Sequence, residues 1–143
     1  TYITQFEVSY DILVRNDQVR STSLNFSYST DGINFTPVPD INYTSPEAGT
    51  SGAAFQFATG VGTFITLTGA DRIAPTEFFY IRWTSDDAAG TTGSRDEIAI
   101  DNIMVNATFE VVTSAMATIS GRVVNAKGRG ISFATVLLTG GNM

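Results

Sequence analysis

Five carboxylates crowd one stretch of the chain: Asp86, Asp87, Asp96 and Glu97, with Asp101 a few residues on. Hard oxygen ligands from a loop and a strand edge suit Ca²⁺, which takes about six to eight oxygens. A solvated acidic loop, with Asp101 bonded to a turn, accounts for the same residues, and neither EF-hand nor nonapeptide spacing accompanies them. A glycosidase-type carboxylate pair could be drawn from the set, but nothing else marks a catalytic cleft. The chain has no His and no Cys. That removes Ser-His-Asp chemistry, imidazole and thiolate zinc sites, thiol nucleophiles and disulfides.

Four tripeptides fit N-x-[ST] at Asn25, Asn34, Asn42 and Asn106, which makes these the candidate glycosylation sites. A chain rich in Asn, Ser and Thr produces some of them by chance. Aromatic side chains offer a different chemistry, stacking on sugar rings. Tyr43, with Tyr80 or Phe78, would form such a platform; core packing is the competing use of the same rings. Trp83, the one Trp, falls on the inward side of its strand. Arg82 beside it is expected to pair with a carboxylate across the sheet. Gly121, Gly128 and Gly130 read as a bend and a turn, because no helix follows to make a phosphate loop.

The elements that must hold these residues are strands. Helix formers are scarce, with one Lys and five Glu. Tyr2, Phe6, Val8, Tyr10, Ile12 and Val14 alternate with polar residues, a period of two that predicts an antiparallel strand with one dry face. Leu24, Phe26 and Tyr28 repeat the pattern. Thr30-Asp31-Gly32 is a turn, and Ile33–Val38 is its expected partner strand. Residues 39–62 read as loop, with a short strand at 54–57. Strands are expected at 63–68 and 78–84, the second central because both its faces are apolar. Residues 85–95 read as a loop. Residues 97–111 predict one long strand or two consecutive ones, and 118–124 with 131–139 a hairpin. In that last segment Phe133, Ala134, Val136, Leu137 and Leu138 offer apolar side chains to both sides, as suits a strand inserted into a neighbouring sheet.

Hydrophobic residues are 43% and charged residues 15% of the 143, with 13 Gly and four Pro. A core can form, and disorder is not expected. Net charge is −6, from 8 basic and 14 acidic residues, which argues against a nucleic-acid surface. No apolar stretch approaches the ~18 residues of a membrane span. The chain opens directly into a strand pattern without Met or a basic leader, and it is expected to begin inside a longer precursor or after processing.

Two resemblances follow. "ITQFEVSYD", "SLNFSYSTDGINFTPVP", "FFYIRWTSDDAAG" and "DEIAIDNIMV" occur in that order over residues 2–110. Together they resemble the C-terminal part of a secreted bacterial jelly-roll module of the concanavalin-like or MAM-like kind. The resemblance implies a sandwich short of its first strands, in an extracellular or cell-surface protein. "ATISGRVVNAKGRGISFATVLLTG", from residue 117, is similar to the opening hairpin of carboxypeptidase regulatory-like domains. Those are non-catalytic spacers or anchors, and the rest of such a domain is missing here.

The expected architecture is therefore all-β: an antiparallel jelly-roll-like sandwich over 1–112, a linker at 113–116 and a β-hairpin unit at 117–143. The expected role is a non-catalytic structural subunit of an extracellular assembly, with no cofactor unless Ca²⁺. Its partners would be other copies of the chain, in a filament built by donor-strand exchange, or adjoining domains. The alternative is a carbohydrate-binding module of a secreted multidomain protein, with polysaccharide as partner.

Overall fold

The structure, a computed structural model, describes residues 1–47, 49–50, 53–90, 92–110, 121–133 and 135. The chain divides into two compact units, Thr1–Val112 and Thr113–Met143. The first is an all-β sandwich of two antiparallel sheets.

Strand β1 (Ile3–Arg15) lies at the centre of one sheet, between β5 (Gln56–Thr66) and β7 (Glu97–Phe109). Strand β2 (Ser21–Ser29) is the centre of the other. It pairs with β3 (Thr36–Pro37) and β4 (Tyr43–Thr44) on one side and with β6 (Tyr80–Ala89) on the other. The alternation read from the sequence is the packing. Phe6, Val8, Tyr10 and Ile12 of β1 face Leu24 and Phe26 of β2, and all six are buried. Fully burying one such side chain contributes about 1.5–3 kcal/mol. Trp83 points inward as expected, edge-on to Tyr10 and to Phe26, each at 5.4 Å between ring centroids. Phe79 stacks on Phe6 at 3.8 Å. The buried Tyr10 hydroxyl donates to the Ile41 carbonyl at 2.5 Å, tying one sheet to the far edge of the other.

That far edge is interrupted. Between β3 and β4 the backbone leaves the ladder in a 3₁₀ turn, Pro39–Ile41, where proline fixes φ. Side chains take over the ladder's bonds. The Phe26 N–H donates to Asn42 Oδ1 at 2.8 Å, and the Thr22 N–H to Ser45 Oγ at 2.9 Å. The pairing of β2 is thus completed by a strand that is itself in two pieces.

Several expectations need correction. The partner strand expected at 33–38 shrinks to Thr36–Pro37, because Asp31 draws the backbone into its own turn. Its carboxylate accepts from the Ile33 and Asn34 N–H groups at 2.8 and 2.7 Å. Strand β5 begins at Gln56, inside what reads as loop. Its glycines hid it: at Gly62 a Cβ would lie 3.1 Å from Ser9 Cβ, a close approach that favours the residue strand propensity penalises. Strand β6 runs on to Ala89 through the expected loop. It is not central, since among the described residues it pairs only with β2. Its second apolar face is a surface feature, with Phe78 and Tyr80 exposed and their rings 6.3 Å apart. Of the segment expected at 97–111, Glu97–Phe109 forms one strand, broken in register by a bulge opposite Ser9–Asp11, where Asn102 adopts φ 49°.

In the second unit, the described residues form a turn closed by a bridge between Val124 and Gly130. Asn125 Oδ1 accepts from the Lys127 and Arg129 N–H groups. Phe133 sits in a turn at φ 58°.

Candidate functional site

The two sheets are covered unequally. The Pro39–Ile41 turn packs on β5, and β2 reaches β7, so β6 lies on the β7 side. On the β5 side Ile65 is buried, at 5% exposed. On the β7 side coverage fails. Val8 and Val105 are direct partners across the ladder and share the inward face, yet Val8 is 0% exposed and Val105 40%. Phe109, opposite Ile3, is 56% exposed, and Ile103 at the bulge 48%. Among the described residues β7 pairs only with β1 and β6 only with β2, so both sheets end on this side with free edges. A free edge beside an uncovered apolar face can accept another strand. Alternation places these residues on the inward face but carries no signal of what covers that face.

The five candidate metal ligands are spread along two strands and their loop. Asp86 Oδ1 accepts from the Asp87 N–H at 2.8 Å. Asp87 is paired with Arg20 and with Arg95, the latter at 3.2 Å. Glu97 lies 3.5 Å from Arg15, and Asp101 Oδ1 accepts from the Asn102 N–H. Asp96 differs, being buried at the start of the long strand. Its Oδ1 accepts from the Gln18 N–H at 3.0 Å, and its Oδ2 has no partner among the described residues. No three acidic side chains come together among the described residues.

The sequon asparagines are all engaged. Asn25 donates to Ser23 Oγ, Asn34 to Asp31 Oδ2 and Asn106 to Glu7 Oε2, while Asn42 accepts from the β2 backbone. Asn34 and Asn106 are exposed. Arg82, expected to meet a carboxylate, instead lies over the Phe35 ring at 3.7 Å and donates to Ser27 Oγ at 3.3 Å. Of the assembly residues, Phe133 is exposed; Ala134, Val136, Leu137 and Leu138 lie outside the described residues, as does the 113–116 linker.

Tyr43 is not near a second exposed ring of β6. It faces inward on β4, opposite Leu24, and lines a cleft of ≈ 500 Å³ with Val14, Asn16, Thr50 and Gln56. Burial raises its phenol pKa, and the Asp96 charge adds to the shift. Sequence reading missed Asn16 and Gln56, which lie in a loop and at a strand start without a motif.

No family model, no curated protein and no solved structure matches this chain.

Proposed function

We propose that the chain is a non-catalytic structural module of an extracellular or cell-surface assembly, whose sandwich is completed along β7 by a β-strand from another copy or from an adjoining domain. One observation carries the reading: Val8 is fully buried, whereas its ladder partner Val105, on the same inward face, stays 40% exposed. A strand added at the β7 edge would gain main-chain hydrogen bonds and cover Ile103, Val105 and Phe109 together. The candidate donor is the unit beyond residue 112. The extracellular setting rests on the resemblance of residues 2–110 to secreted modules.

The test is deletion of residues 114–143, with both proteins sized over a range of concentrations. The full chain is expected to associate and the shortened one to run as a monomer. Two well-folded monomers of equal stability would end the donor-strand reading.

A further inference from the structure

The interruption opposite β2 has a pocket beside it, on the outward side of that sheet. Its volume is ≈ 280 Å³, and its lining includes Asn25, Ser27, Pro37, Asn42, Arg82 and Thr84. Pro37 and Asn42 flank the 3₁₀ turn where the edge backbone leaves the ladder. Ser27 with Arg82, and Asn25 with Thr84, are ladder partners across β2 and β6. In a chain with 14 acidic residues, no Asp or Glu lines this pocket. Arg82 is its one cation. Arg15, Arg20, Arg72 and Arg95 each pair with a carboxylate. Among the described residues Arg82 pairs with none. It is held instead by the Phe35 ring, 3.7 Å from the guanidinium carbon, and by Ser27 Oγ, which accepts from its Nε at 3.3 Å. Those two contacts set the plane of the fork through its face and its Nε, so what it can offer a ligand is its terminal Nη donors.

We infer that this pocket binds a small organic monocarboxylate. A guanidinium fork meets a carboxylate in charge-assisted hydrogen bonds, stronger than those between neutral groups. Holding the fork in place beforehand removes part of the ordering cost of binding. Asn42 has its Oδ1 occupied by the Phe26 N–H at 2.8 Å, so it offers a ligand its Nδ2 donor, and Thr84 adds a hydroxyl. Pro37 supplies an apolar surface for the hydrocarbon part. One cation balances one negative charge. Phosphate, at about −1.5 to −2 charges near pH 7, would bring charge that nothing in the lining neutralises, onto a chain of net −6. The volume lies at the lower end for ligand sites, which suits a short acid. A free acid and the C-terminus of a peptide present this same group. The inference is independent of assembly along β7.

The ¹⁵N-labelled full chain would be titrated at constant ionic strength with butyrate and with acetyl-alanyl-alanine, a free acid and a peptide end. Butyramide serves as the neutral counterpart and inorganic phosphate as the more highly charged anion. Saturable shifts are expected at the Arg82 Nε–H and the Asn42 side-chain amide with at least one of the two carboxylates, and the tighter of them identifies the source. Arg82 is exposed, so Arg82→Gln should keep the native spectrum while weakening that binding about tenfold or more. Arg82→Lys, which keeps the charge and loses the fork, should weaken it as well. Absence of saturable shifts with both carboxylates would overturn the inference. So would butyramide or phosphate binding as tightly as the better carboxylate, or affinity unchanged in a folded Arg82→Gln or Arg82→Lys.

Discussion

Replacing Val105 with lysine separates what the β7 face does for the monomer from what it does for assembly. Fully burying a Val, Ile or Phe side chain is worth about 1.5–3 kcal/mol. Exposures of 40% at Val105, 48% at Ile103 and 56% at Phe109 leave roughly half of that unrealised at each residue, about 2–4 kcal/mol for the three. A docking strand would collect it. A lysine at 105 removes one contributor and places an ammonium where the incoming strand must exclude water. Association should weaken by about 2 kcal/mol or more, at least some 30-fold in Kd. The monomer loses only the half-buried part of one valine, about 1 kcal/mol. Met104→Lys is the control: Met104 pairs with Ser9 on the outward face of the same strand, so equal charge there should leave association unchanged. Sedimentation velocity across a dilution series reads Kd, and urea melts of dilute samples read monomer stability. Wild-type protein that stays monomeric at every concentration would refute the reasoning, as would equal weakening by both substitutions.

Asp31 accepts hydrogen bonds from the Ile33 and Asn34 N–H groups, the Asn34 amide and the Ser29 hydroxyl, and these hold its carboxyl well below the usual carboxylate range. Its contribution is therefore complete above the ordinary value of 3.8 and lost only as pH falls through the depressed one; the Ile33 and Asn34 amide resonances should hold their native shifts to pH 3, and Asp31→Ala should lower the melting temperature. Tyr10, with its phenol pKa raised by burial, contributes stability below pH ~10 that is lost as pH rises further. Urea midpoints should fall above that pH, and Tyr10→Phe should cost about 1 kcal/mol at neutral pH while removing part of the alkaline loss. Of the acidic cluster, only Asp96 combines burial with an unpartnered oxygen. If an ion binds around Asp86–Asp101 it is Ca²⁺, and millimolar Ca²⁺ would then raise the melting temperature relative to EDTA by mass action; equal melting in both solutions would dispose of calcium.

The core was legible because its signal is a period of two in residues that differ sharply in hydropathy. Phe6 to Ile12, Leu24 with Phe26, and Phe79 to Trp83 all face inward as their spacing predicts. Where a strand's constraint is a neighbour's proximity, the signal inverts: the close approach at Gly62 makes part of β5 read as loop. Where a face is apolar without being buried, as at Phe78 and Tyr80, composition overstates coverage. The candidate sites were harder to read. Alternation says which way Val105 points but not what lies opposite, and the bonds of Asn42 and Ser45 to the β2 backbone appear only once the interrupted strand is placed.

The broken strand opposite β2 closes one edge of its sheet to extension. Its backbone hydrogen-bonding row is interrupted by a proline-started turn, and side chains of Asn42 and Ser45 occupy the places where ladder bonds would continue. A foreign strand laid along that edge of the β2 sheet meets no continuous template, whereas β6, β7 and β5 each end a sheet with a full-length strand among the described residues. If the uncovered β7 face alone adheres, growth stops at a pair, since each copy consumes the other's contact. Growth beyond two then requires a second, chemically different contact, which the unit beyond residue 112 would supply in the donor-strand reading. Stoichiometry becomes a diagnostic of wiring: closed pairs would implicate β7 edges meeting each other, and open chains the handing of a strand from one copy to the next.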